Sequence, residues 1–287
     1  MYRSQYRIIF KLNSPLHTGH RKIGNLMQTR SYVPGKNLWA AITARITRDN
    51  GSNNYKKTGK EINEKFRFSY FWPAISPDNT EVKKWDDLTT YFTFDVHDYS
   101  NLSKIYPVKK DSNKKPFDYL FLGSYASTSL NYERYGAEEG SLHEVEFISP
   151  VTRDKRQVYL VGSIWVKDSL SDDIKNWKKS IKIISIGGEQ KYGWGRLELI
   201  ECNEAQSNPL FKPGLDYFEW EGYLPAHIDS DGTKELQGSL EPLVGWETKE
   251  DNSQEVSNAK IAFIPGINIK NKENFKIIEN GLWRVKT

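Results

Sequence analysis

Apolar and polar positions alternate across residues 6–12 (YRIIFKL), a run rich in β-forming residues, which predicts an opening strand. Asn13-Ser14-Pro15 ends it, because proline has no N–H to give to a ladder. After a polar loop and Tyr32-Val33-Pro34-Gly35, Leu38, Ala41, Ile42 and Arg45 recur at helical spacing with Asn37 as N-cap, predicting a helix over residues 37–46. Residues 49–65 are polar and read as an exposed loop or weak helix, and the aromatic run 66–75 (FRFSYFWPAI) as a segment packed on a sheet. A basic loop is expected over residues 101–115, from Lys104, Lys109, Lys110, Lys114 and Lys115, with short strands at 119–122 and 145–148.

The clearest strand is 156–166 (RQVYLVGSIWV), β-branched and aromatic throughout. A helix follows over residues 171–184, acidic at its start and lysine-rich later, as the helix dipole favours. A glycine-rich turn, residues 187–196, then leads into a strand at 197–200. Further strands are expected at 235–244, 259–265 and 280–285, with an acidic linker at 247–255. Strand, helix, turn and strand make half of a ferredoxin-like fold, so the fold class is α+β: ferredoxin-like (RRM-like) domains, with antiparallel sheets, helices on one face and long loops. The expected division is a ferredoxin-like domain at 1–150, half of a second unit at 151–202 and a β-rich extension at 203–287.

With 37% hydrophobic and 27% charged residues, the 287-residue chain can bury a sizeable core. No apolar run approaches the roughly 20 residues of a membrane span, and the opening MYRSQYRIIFKLNSPLH lacks a signal-peptide pattern, so a cytoplasmic protein without membrane contact is expected. A single cysteine, Cys202, excludes an internal disulfide and a cysteine-based zinc cluster. The net charge of +4 is too mild to indicate nucleic acid by itself. Its placement says more: between His17 and Arg48 lie Arg21, Lys22, Arg30, Lys36 and Arg45 with no acidic residue, a segment suited either to phosphate contact or to an ordinary solvated face.

Gly187, Gly188, Gly193 and Gly195, interleaved with Lys191, Tyr192 and Arg196, give main chain that can turn sharply and approach a ligand. Exposed N–H groups in such a turn bind phosphate oxygens, with Lys191 and Arg196 supplying charge. The alternative is a tight connection whose glycines serve as helix C-cap and turn. No Gly-Lys-Ser/Thr closes the loop and it does not follow the dinucleotide fingerprint, which disfavours a nucleotide cofactor. Tyr192 and Trp194 suit base stacking or plain packing equally.

Three landmarks, SPLHTG at residues 14–19, YVPG at 32–35 and the apolar-Gly-x-x-x-x-x-Gly-x-Gly pattern of Gly187, Gly193 and Gly195, resemble those of the CRISPR-associated RAMP superfamily, in the usual order. The resemblance implies guide RNA as ligand, and other RAMP subunits and a large subunit of a type III effector complex as partners. Backbone subunits that cut target RNA carry an aspartate before the YVPG-like turn. Residues 20–31 contain no acidic residue, which argues against cutting. Superfamily endonucleases place the glycine loop near the C-terminus, whereas about 90 residues follow it here. The expectation is therefore a non-catalytic cap subunit holding the five-prime handle of the guide, without cofactor or metal. His17, His20, Arg21, Lys22 and Arg30 join the glycine loop as RNA-binding candidates. A metal-independent endoribonuclease using His17 or His20 is the alternative, and a β-rich carbohydrate- or protein-binding module the second. His17-x-x-His20 alone is too few ligands for a metal.

Overall fold

The computed structural model describes residues 2–109, 115–206, 210–211, 215–231, 236–249, 251 and 253–286. The opening strand, Tyr2–Leu12, lies inside a seven-stranded sheet, paired antiparallel with Tyr159–Lys167 on one side and Arg196–Glu204 on the other. Phe66–Phe68 and Trp72–Ile75 run along the far side of Tyr159–Lys167, while Ile183–Ser185 and Thr89–Thr90 end the sheet. The helix Gly35–Asp49 connects the opening strand to the aromatic one, and the short helix Trp177–Ser180 connects Tyr159–Lys167 to Arg196–Glu204. This is the ferredoxin-like arrangement.

The expected boundary at residue 150 cuts through this sheet. Tyr159–Lys167 and Arg196–Glu204, assigned from sequence to a second unit, are the two direct neighbours of the opening strand. Hydrophobic period reveals that a strand exists, but the order of strands in a sheet is a tertiary property.

Alternation along each strand sorts side chains between two cores. Tyr6, Ile8, Phe10 and Leu12 face Leu38, Ile42 and Ile46 of the long helix and Ile62 of the next, Tyr55–Lys65. Ile9, Trp72, Tyr159, Val161 and Trp165 face the opposite way. Against them packs a six-stranded sheet in the order Phe218–Tyr223, Asn268–Ile277, Trp283–Val285, Ile228–Asp229, Lys260–Phe263, Leu240–Leu243. Trp72, Trp165, Trp220 and Trp283 are fully buried in this second core, and burying each large apolar side chain stabilises by about 1.5–3 kcal/mol. The sheet face that an RRM leaves open for stacking bases is covered here by the C-terminal sheet.

Several local expectations shift. The N-cap of the long helix is Pro34, without a side-chain cap bond, and Asn37 lies inside the helix. Residues 55–65 are helical, capped by Asn54, which accepts from the Lys57 amide. The helix expected over 171–184 shrinks to Trp177–Ser180, because Ile183–Ser185 pairs with Arg196–Glu204 instead. Residues 117–121 form a short helix ahead of the strand Leu122–Ser127, and the expected acidic linker contains a hairpin of Trp246–Thr248 with Gln254–Val256. The strand Asn268–Ile277 was not expected, its apolar positions being diluted by Asn, Lys and Glu. Lys110, Lys114 and Glu235 lie outside the described residues.

Candidate functional site

Ile183–Ser185 and Arg196–Glu204 form a hairpin whose loop is the glycine-rich turn. Ile186 N–H donates to the Gly195 carbonyl at 3.0 Å, closing its base. The loop is also joined to the SPLHTG landmark. Gly195 N–H donates to Pro15 O at 2.7 Å and Gly188 N–H to His17 O at 2.8 Å. Arg196 N–H donates to Ser14 Oγ at 2.9 Å.

The glycines therefore divide by role. Gly187 has φ of +83°, and a Cβ there would lie 2.3 Å from His17 O; Gly195 has φ of +75°, and a Cβ would lie 1.8 Å from Ile186 O. Both meet the chain's own backbone rather than a ligand. The amides of Gly188 and Gly195, expected to face phosphate, are spent on the carbonyls of His17 and Pro15 respectively. Gly193, with φ of +80° and open space around it, ends a single 3-10 turn, Gln190–Tyr192, at the exposed tip. Lys191, Tyr192 and Arg196 are exposed, Tyr192 to 80%, whereas Trp194 is half-buried with its ring 5.1 Å from that of Phe147, edge to face. Packing is thus the role the geometry gives Trp194, and Tyr192 is left facing solvent.

The YVPG landmark reaches the same place. Thr18 Oγ1 donates to Tyr32 O at 3.0 Å and Arg30 N–H to Thr18 O at 2.7 Å. A Cβ on Gly35 would lie 2.5 Å from Asn280 O, so this glycine lets the helix start dock on the turn Glu279–Gly281 of the C-terminal sheet.

His17 and His20 diverge. His17 is buried, its Nδ1 donating to Glu146 O at 2.7 Å, and its ring lies beside Gly188. His20, exposed with Arg21 and Lys22 on the hairpin strand Gly19–Ile23, places Nε2 3.2 Å from Glu241 Oε2. Burial pushes the His20 pKa down, and the Arg30 charge adds to that. Arg21 Nε donates to Gln28 Oε1 at 2.7 Å.

Arg30, a phosphate candidate in the sequence, is turned inward, only 9% exposed, with Nη1 2.5 Å from Glu241 Oε1. Glu241 also accepts from Nε2 of the buried His227, whose Nδ1 lies 2.7 Å from the Tyr70 hydroxyl. A carboxylate only accepts, so Nε2 of His227 carries the proton and Tyr70 donates to Nδ1. Burial lowers the His227 pKa, consistent with a neutral ring. Burial would raise the Glu241 carboxyl, but the hydrogen bonds from His227 and Arg30 overcome it and hold the pKa at about 2. Lys36 is held likewise, Nζ donating to Glu247 Oε1 at 2.9 Å. Sequence reasoning did not single out Glu241, His227 or Tyr70, since Arg30 and Glu241 lie 211 residues apart and carry no shared local signal.

A second exposed element lies in the excursion between Leu122–Ser127 and His143–Ile148. There a short hairpin, Leu130–Asn131 with Gly136–Ala137, presents Tyr132 and Tyr135 to solvent.

The sequence model of the RAMP superfamily matches residues 9–198, which is more than half of the chain and takes in all three landmarks. The chain belongs to the RAMP superfamily. Comparison with curated proteins gives no match. Among solved structures, this RAMP protein is similar to a chain of a type III-B Cmr-beta assembly bound to cognate target RNA and AMPPnP. That likeness has a TM-score of 0.53 and 14% identity, over 92% of this chain and 86% of that one. A chain of the Cmr-beta assembly bound to cognate target RNA gives a TM-score of 0.50 at 12% identity over the same shares. A chain of the Csm3-Csm4 subcomplex of a type III-A interference complex gives 0.47 at 14% identity, over 93% of each. At such identities the likeness is one of fold. With 92% of the chain covered, the first of these superpositions extends into the region after residue 198, where the family match ends.

Proposed function

We propose that this RAMP protein is a non-catalytic, RNA-binding subunit of a type III CRISPR interference complex. In this reading it holds the guide RNA at its five-prime handle, in the cytoplasm, beside other RAMP subunits and the large subunit. The carrying observation is the convergence of the three landmarks: SPLHTG supplies the carbonyls that hold the glycine loop, so Lys191, Tyr192 and Arg196 are presented outward from a braced base. Arg21 and Lys22 extend the same chain segment as an exposed cationic edge. Such cations grip phosphate irrespective of base, and Tyr192 offers a face for stacking. The membership of the superfamily and the fold shared with chains of type III assemblies support the setting.

The non-catalytic part of the reading draws on the histidines. His17 is buried against Glu146 O, and His20 faces Glu241, so neither is aimed with the other at a common reacting atom.

Filter binding of a single-stranded RNA bearing a repeat-derived five-prime handle, over a salt series, tests the proposal. Affinity falls steeply as salt rises, and replacing Lys191 and Arg196 together with Ala lowers the slope by about 1.4, the release expected for two single-strand phosphate contacts. An unchanged slope in that variant sinks the assigned surface. Discrete metal-independent cleavage that disappears in His20→Ala would instead make the protein the superfamily's endonuclease.

A further inference from the structure

A groove of about 400 Å³ runs between the long helix and the terminal strand of the central sheet, walled by Arg45 and Arg48 on one side and by Ile183 and Ser185 on the other. Among the described residues Ile183–Ser185 pairs with Arg196–Glu204 alone, which leaves its other edge without a strand partner. The register says which groups point outward. Leu199 N–H donates to Lys182 O and Ile186 N–H to Gly195 O, and the positions between them alternate. Ile184 therefore faces the partner strand, and the N–H and C=O groups of Ile183 and Ser185 face the groove. Among the described residues no hydrogen bond engages those outward groups.

The walls select a chemistry. Ile183 is 45% exposed, an apolar contact beside the open edge. The one carboxylate in the lining, Asp49, is taken by Arg45 at 2.9 Å, and Arg48 makes no ion pair among the described residues. Strand edge beside helix is the geometry by which folded domains take up an extended chain through main-chain bonds.

We propose that this groove receives an extended acidic segment of a partner protein, which adds a strand to Ile183–Ser185 and sets a carboxylate against Arg48. The inference stands apart from the RNA reading, because the ligand is a polypeptide and the residues are not those of the glycine-loop tip.

Fluorescence anisotropy with short blocked peptides of alternating valine and aspartate tests it, with lysine replacing aspartate as control. The aspartate peptide binds saturably and the lysine peptide does not. Ser185→Pro removes only an outward N–H, leaving the ladder to Arg196–Glu204 intact, and weakens peptide binding about tenfold. Arg48→Glu weakens it too, at unchanged melting temperature. Should Ser185→Pro disturb folding, amide exchange in the unaltered protein serves instead: the peptide slows exchange at Ile183 and Ser185. Absence of saturable aspartate-peptide binding overturns the proposal, as does equal binding by a folded Ser185→Pro. Protection of the same amides by polyuridylate, with displacement of the peptide, would assign the groove to nucleic acid instead.

Discussion

Arg30 and Lys36 on one side, and Lys191, Arg196, Arg21 and Lys22 on the other, are cations around the same landmarks in opposite electrostatic company. The first pair is held by Glu241 of the C-terminal sheet and by Glu247 of the separate hairpin that follows it, in part beneath the surface. The second set stands exposed on the glycine loop and the hairpin strand. A charge that has a buried partner contributes to holding two sheets together, and an exposed one remains available to a phosphate. Proximity to a family motif therefore does not decide what a cation does. The acids that come within reach of it do.

The largest break in this contrast comes from Glu241→Ala. It strands the Arg30 guanidinium without its carboxylate and leaves His227 Nε2–H without an acceptor, so a loss of about 3 kcal/mol is expected in urea unfolding. A neutral outcome would mean that Arg30 swings out to solvent and belongs with the exposed set. Within the glycine loop, Gly195→Ala should cost about 3 kcal/mol, since main chain must move to admit a Cβ. Gly193→Ala, where only positive φ opposes the change, should cost about 1 kcal/mol. Equal losses at the two positions would erase the distinction between braced base and free tip.

Acid titration sharpens the same point. The folded pKa of Glu241 is depressed from the usual 4.5 to about 2, so its contribution is complete above about pH 4.5 and is lost as the pH falls towards 2. In Glu241→Gln the stability difference from the unaltered protein should shrink over that window; a constant difference would detach the cluster from this titration. Smallest of all, Lys191→Ala with Arg196→Ala should shift unfolding free energy by no more than about 0.5 kcal/mol, as exposed substitutions do. A larger shift in thermal melting would place these two among the braced residues.

Much of the central fold was legible. Residues 6–12 announce a strand through alternation, and residues 159–167 through an unbroken β-rich run, because burial on one face or on both leaves those patterns directly in the residue order. The glycine loop was legible as a turn, but its wiring was not. Gly187 and Gly195 are needed because Pro15, His17 and Ile186 come close, and no spacing within residues 187–196 records that approach. The strand Asn268–Ile277 escaped because its solvent-facing polar residues hide the buried Ile269, Phe275 and Ile277.

What the residue order alone determined is what depends on near neighbours: where strands and turns form, which positions are apolar, and the three landmarks that carry the family. Only the tertiary structure decided that strands from both sides of residue 150 share one sheet, that a second sheet covers its open face, and that Arg30 faces Glu241 rather than solvent. Strand order, face coverage and ion pairing between residues 211 positions apart arise from packing, whose energy depends on proximity in space. Local pattern has no access to that distance.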